Sequence, residues 1–174
     1  MSKLRNTKTI TTAGMLVAIG IVLGFFKVPI NNLIEIRFGN LPIAAAGTLM
    51  GPVPAAIVGA LTDIGGFLVK PTGAFFPGFT LSGIITGIIF GLLLKTDDSS
   101  NLSIVRIFIA QLIVTVFVNV LLNGYWLSLL YGKGYAAILI ARIPKELIML
   151  PINTLLVTAI AKPVRMIGRA AFNN

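Results

Sequence analysis

Apolar residues run through this chain in long blocks, and the polar breaks between them are short. A helix needs about 20 apolar residues to cross a bilayer. Six blocks approach or reach that length: 9–26, 38–50, 55–69, 78–94, 102–122 and 136–161. A loop containing Glu35 and Arg37 separates the first from the second, and a "GPVP" turn at 51–54 separates the second from the third. Proline is tolerated at a helix start, where its missing N–H would be unpaired anyway, so the turn reads as a stop followed by a restart. The second and third blocks are short, which predicts tilted or partly buried helices. The polar loop "KTDDSSN" (95–101) closes the fourth block. The pattern predicts an all-α integral membrane protein with six transmembrane helices in a single domain, residues 1–174.

Composition supports the apolar surroundings. Of 174 residues 56% are hydrophobic and 11% charged, against about 25% charged in a soluble domain. The first block is longer than a signal-peptide core and carries no evident small-residue cleavage site. Cysteine and histidine are absent from the sequence. Thiol nucleophiles, imidazole bases, disulfides and most transition-metal sites go with them, so neither an enzyme nor a metal centre is expected. The net charge of +9 is spread along the chain without a dense basic and aromatic cluster, which argues against a nucleic-acid partner. An even number of spans puts both termini on one side. Lys3, Arg5, Lys8, Lys95, Arg106, Lys162, Arg165 and Arg169 then face the cytoplasm, against Lys27, Arg37, Lys70, Lys133, Arg142 and Lys145 toward the outside. That is a modest positive-inside bias.

Charged and amide side chains inside spans are costly and mark function. On the sixth block Arg142, Lys145, Glu146, Met149 and Asn153 fall on one helical face. Arg142 and Glu146 read either as a structural pair or as ligand contacts, whereas Lys145 has no obvious local partner and suits an anionic ligand. On the fifth block Gln111, Thr115, Asn119 and Asn123 recur every four residues, followed by Tyr125, Trp126 and Tyr131. Amides both glue helices together and bond heterocycle edges; Asn119, Asn123 and Trp126 are the better placed for a ligand. The third block carries Asp63, with Phe67 and Lys70 on the same face. Its carboxylate either pairs with Lys145 or accepts hydrogen bonds from an amino-substituted ring. These groups concentrate in the outer half of the bundle, which predicts a pocket open to the outside rather than a channel.

Between the third and fourth blocks lies "FLVKPTGAFFPGFTLSG" (67–83). Pro71 bars continuation of a helix and Gly73 and Gly78 allow tight bends, yet a plain connector leaves the phenylalanines unexplained. Phe75, Phe76 and Phe79 offer stacking surface and Lys70 an anchor for an anion, so the stretch reads as a lid or wall. On the first block Gly14 and Ala18, then Gly20 and Gly24, are spaced by four, making a ridge that another helix can approach closely.

Segments 38–91, 118–133 and 142–153 resemble the substrate-binding S components of energy-coupling factor (ECF) vitamin transporters, the folate-specific members among them. The Asp-x-x-Gly-Phe, Pro-x-Gly and Phe-Pro-Gly-Phe-Thr-Leu-Ser elements carry the likeness. The resemblance implies a multi-pass protein of a prokaryotic cell membrane that captures a vitamin from outside. Its implied partners are the lipid bilayer, a transmembrane coupling subunit and two ATPases. The chain has no Gly-x-x-x-x-Gly-Lys-Ser/Thr loop of its own, and the resemblance implies no cofactor. The family's small-residue coupling motif, usually Ala-x-x-x-Ala, maps to Gly14 and Ala18, with glycine in place of the first alanine. Folate would suit the polar groups. Its pterin has edges for Asp63, Asn119 or Asn123 and faces for Phe76, Phe79 or Trp126; its anionic tail suits Arg37, Lys70 or Lys145. Riboflavin, thiamine or pantothenate is the alternative ligand, and an ion-coupled secondary transporter the alternative class.

Overall fold

The structure, a computed structural model, describes residues 7–31, 34–71, 73–95 and 102–172. Lys3, Arg5 and the loop residues 96–101 lie outside the described residues, as do the side chains of Lys162 and Arg169. Helix α1 (Thr7–Phe25) leads into a hairpin of β1 (Val28–Asn31) and β2 (Ile34–Ile36). Then come α2 (Asn40–Met50), α3 (Pro52–Val69) and α4 (Pro77–Leu94). Helical segments Ile104–Ile113, Val114–Leu122 and Asn123–Tyr131 run on as one long helix, α5 (Ile104–Tyr131), whose middle segment is π-helical. Helix α6 (Tyr135–Phe172) ends the described chain.

Five of these helices, α1 and α3 to α6, are long and apolar enough to cross a membrane. The second expected span is shorter than a bilayer requires. At about 1.5 Å per residue α2 reaches only about half of the roughly 30 Å hydrocarbon core. Eight of its residues, Pro42 to Thr48 and Met50, are buried, so α2 is a core helix enclosed by its neighbours. The loop expected around Glu35 and Arg37 is an antiparallel hairpin pairing Val28 with Ile36 and Pro29 with Glu35, with an irregularity between Pro29 and Asn31. Helix α6 passes through Pro144, Pro151 and Pro163 and beyond the expected end near 161. Prolines of this kind persist in membrane helices because neighbouring groups satisfy the freed carbonyls.

The chain closes tightly where α3 meets α4. A Cβ on Gly59 would overlap the Gly83 carbonyl, one on Gly87 the Ala55 carbonyl, and one on Gly91 the Pro52 backbone. Backbones in contact gain dispersion and weak polar contacts that side chains in lipid do not supply. On α2, Gly47 abuts Phe90 and Gly91 in the same way. Around this seam Ile43, Met50, Val58, Phe90, Leu94, Ile107, Val114 and Val157 form a packed apolar core. It occupies the end of the bundle holding the C-termini of α2 and α4 and the N-termini of α3 and α5. At this end Arg106 donates to the carbonyls of Leu93 and Lys95, closing the C-terminus of α4. Gln111 is a polar residue within this core, 0% exposed and with neither amide atom partnered among the described residues.

Helix α1 is the least buried span, with Thr9 and Gly20 its buried residues. Its two small-residue pairs separate cleanly. Gly20 lies against Thr62 and Gly24 against Gly66 of α3, while Gly14 and Ala18 are exposed beside Met15, Ile19 and Val22. Replacing Gly87 with alanine should destabilise the protein by about 1–3 kcal/mol through overpacking, and Gly14→Ala, where nothing lies within 4 Å of the new Cβ, should leave it unchanged. Thermal unfolding in detergent, comparing the two variants with the parent, checks this; equal midpoints for the two would refute the seam.

Candidate functional site

At the other end the helices separate and enclose a cavity of about 190 Å³. All six helices, the hairpin and the 71–76 connector contribute to its wall. Ten of the twelve expected ligand contacts line it: Arg37, Asp63, Phe67, Phe75, Phe76, Phe79, Asn119, Asn123, Arg142 and Lys145. Lys70 and Trp126 do not. Lys70 turns back, its ammonium donating to the carbonyls of Phe25 (3.2 Å) and Lys27 (2.8 Å). Trp126 stands behind the wall: its ring lies 5.6 Å from that of Phe76, and its indole N–H donates to Ser82 Oγ at 3.2 Å.

The aromatic wall follows from the local sequence. Gly73 has a φ of 103°, the left-handed region that favours glycine, and turns the chain so that Phe75 packs on Phe67 with centroids 5.1 Å apart. Pro77 and Gly78 then start α4. A Cβ on Gly78 would come within 2.5 Å of both Phe76 and Trp126, so the glycine makes room for the indole that backs Phe76. Phe79 completes the group, edge-on to Phe76 at 6.1 Å.

Ionisable groups face the cavity in two clusters. On the hairpin side Arg37 Nε donates to Glu35 Oε2 at 2.5 Å, and Arg37 Nη1 stands 3.8 Å from Asp63 Oδ1. Thr80 donates to Asp63 Oδ2 at 3.0 Å. Asp63 is therefore matched with Arg37, not with Lys145. On the α6 side Glu146, its side chain 3% exposed, receives Lys145 Nζ at 2.6 Å and Arg142 Nη2 at 3.6 Å on one oxygen. Asn119 Nδ2 donates to the other oxygen at 3.3 Å. Lys145 thus does have a local partner, reached by its flexible stem although adjacent helical residues do not ordinarily face each other. Arg142 and Glu146 form the i,i+4 pair and line the cavity as well.

Lys27, Glu35, Asn40, Thr62, Glu146 and Asn153 also line the cavity. Glu146 and Asn153 were visible as members of the α6 polar face. Lys27 and Asn40 carried no signal, each being a single polar residue beside an apolar run. Burial is the main cause holding the Lys27 ammonium below the usual lysine pKa, with the charge of Arg37 second. Thr62 Oγ1, Asn123 Oδ1 and Asn153 Oδ1 are buried without a partner among the described residues. Buried polar atoms are almost always satisfied, so these three mark places where a ligand's donors or acceptors fit. At formal charge Lys27, Arg37, Arg142 and Lys145 face Glu35, Asp63 and Glu146, which leaves one positive charge in excess. The cavity can stack a flat ring, bond its edges and hold an anion. Among the described residues no group of His, Cys, Asp or Glu is arranged to hold a metal.

Fold and site together define a helical membrane protein built around a chamber of polar and aromatic side chains, its opposite end closed by packing. The family model for the ECF transporter substrate-specific component matches residues 8–161, and the chain belongs to that family; it is a transporter subunit, not an enzyme. A folate transporter, FolT, of Clostridium novyi (strain NT) is 39% identical over 125 residues, covering 72% of this chain and 71% of that protein. The folate transporter FolT of Leuconostoc mesenteroides subsp. mesenteroides is 28% identical over 153 residues, covering 85% and 81%. A crystal structure of FolT bound with folic acid superposes with a TM-score of 0.81 at 32% identity, covering 91% of this chain and 97% of that one.

Glu146 gathers a buried guanidinium and a half-buried ammonium, so its loss strands them. Glu146→Leu should cost about 3–5 kcal/mol, the range for removing one partner of a buried ion pair. The measurement is the unfolding midpoint of ligand-free protein in detergent; a variant as stable as the parent would show that the pair does not hold α6 in place.

Proposed function

We propose that this chain is the folate-binding membrane subunit of an ATP-driven ECF-type importer, capturing the vitamin in the chamber between the hairpin and α6. The observation that carries the reading is the likeness, at a TM-score of 0.81 and over 91% of the chain, to a FolT structure that contains folic acid. The chemistry of the wall agrees. Phe75, Phe76 and Phe79 offer faces for a pterin; Asp63, Asn119, Asn123 and Asn153 offer bonding groups for its edges. Arg37, Arg142 and Lys145 supply charge for a dicarboxylate tail. The excess of positive charge disfavours a cationic vitamin such as thiamine.

The membrane arrangement follows from the alternation of the helices. The N-terminal ends of α2, α4 and α6 and the C-terminal ends of α1, α3 and α5 meet the chamber. Although α2 does not span the hydrocarbon by itself, it reverses the chain within the bundle. This alternation supports both termini lying on the side of the apolar core, the cytoplasmic side of a prokaryotic cell membrane in this reading. The exposed Gly14 and Ala18 give α1 a smooth outer ridge, suited to the transmembrane coupling subunit through which two ATPases would act.

Radiolabelled folate should bind the purified protein, and Asp63→Ala and Lys145→Ala should each weaken it at least about tenfold, the effect of losing roughly 1.4 kcal/mol. Parent-like affinity in both variants would remove these residues from the binding site. The double variant Gly14→Leu, Ala18→Leu should keep folate affinity while ATP-dependent uptake in cells carrying the whole transporter falls to background. Undiminished uptake would mean that this ridge is not the coupling surface.

A further inference from the structure

Two lysines meet where α1 ends. Lys27 follows the last residue of α1 by two positions, is 5% exposed, and lines the chamber beside Glu35 and Arg37. Lys70 caps the far end of α3 and is absent from the chamber wall. The last carbonyls of a helix have no intrahelical partners and need donors from elsewhere. Here the final turn of α1 closes with Phe26 N–H on Leu23 O and Lys27 N–H on Gly24 O. The next carbonyls, Phe25 O and Lys27 O, are taken by the Lys70 ammonium from more than 40 residues away in sequence. A cation is the favoured group at that end of a helix.

This bond sets more than a helix end. Fixing the Lys27 carbonyl fixes the start of the Lys27 side chain and the direction in which β1 leaves. Val28 then pairs with Ile36, which delivers Arg37 to the chamber. One ammonium outside the chamber thereby sets the place of the Lys27 cation inside it.

We propose that Lys27 is a ligand-contacting cation of the chamber, and that Lys70 is a positioning residue acting through Lys27 without touching the ligand. The group Lys27 takes is an anion, a carboxylate in the folate reading on which the inference rests. Burial and the nearby Arg37 charge both disfavour the Lys27 ammonium, and a bound carboxylate offsets both.

A double-mutant cycle on folate affinity separates this from the alternatives. Lys27→Met should weaken folate by about 30-fold, in the range for truncating a buried charge that meets a ligand. Lys70→Met should weaken it by roughly tenfold, and Lys70→Arg, which keeps the donor, should return to within about threefold of the parent. The double variant Lys27→Met, Lys70→Met should bind no more than about twofold worse than Lys27→Met alone. Losses that multiply would overturn the inference, because a direct contact or a general structural role for Lys70 acts independently of Lys27. So would an unaffected Lys27→Met. If Lys70→Met does not fold, Lys70→Gln takes its place in the cycle. Hydrogen exchange of the ligand-free protein supplies an arm that needs no folate. Lys70→Met should speed exchange of the 26–36 amides and leave those of α4 as in the parent. A parent that binds no folate sinks the functional reading, and unchanged exchange at 26–36 then sinks the positioning role separately.

Discussion

The contact of α3 with α4, backbone on backbone, is the interaction from which the rest of the structure hangs. Between helices in lipid, burying leucine gains little, because the acyl chains are as apolar as the side chains they replace. Gly59, Gly83, Gly87 and Gly91 let the two axes approach until main-chain atoms touch. The seam continues to Gly47, which seats α2 against Phe90. With α2 held in place, its N-terminal residues Asn40 and Ile43 become chamber wall and its C-terminal Met50 becomes core. Close packing at one end is thus the condition for separation at the other.

The separated end is kept open by charges that satisfy one another. Ionised groups at membrane depth survive when paired or facing a polar cavity, and here they are paired and line the chamber. Glu146 organises Arg142, Lys145 and Asn119 on one side; Arg37 spans Glu35 and Asp63 on the other. Groups held by one another before any ligand arrives leave less to be ordered on binding. Thr62, Asn123 and Asn153 retain open hydrogen-bonding capacity within that frame among the described residues.

Much of this was legible in the residues, for a physical reason. Membrane spans announce themselves by length and hydropathy, and the faces of α5 and α6 by helical spacing, so the long helices, and the convergence of ten of the twelve candidate residues on one cavity, could be read without coordinates. What failed was local. The segment "VPINNLIEI" carries too few residues to distinguish a hairpin from a loop. The fifth apolar block ends at 122, whereas its helix continues to Tyr131. Lys70 and Trp126 had suitable chemistry and position in sequence, but rotation about one turn sent Lys70 to a helix end and Trp126 behind Phe76. Lys27 went unnoticed because a lysine just past an apolar run is what any membrane-flanking position shows.

The π-helical middle of α5 bears on how those amides came to lie together. In an α-helix a step of four residues overshoots a full turn by about 40°, so Gln111, Thr115, Asn119 and Asn123 would wander roughly 120° around the axis. A π turn holds more residues, and the same step across Val114–Leu122 falls short instead of overshooting. The two errors cancel, and a spacing wrong for either helix type alone becomes nearly a straight line. The alignment therefore depends on chain length as much as on chemistry. Losing or gaining one apolar residue in this stretch would re-aim Asn123 and everything after it while removing no polar side chain from the sequence.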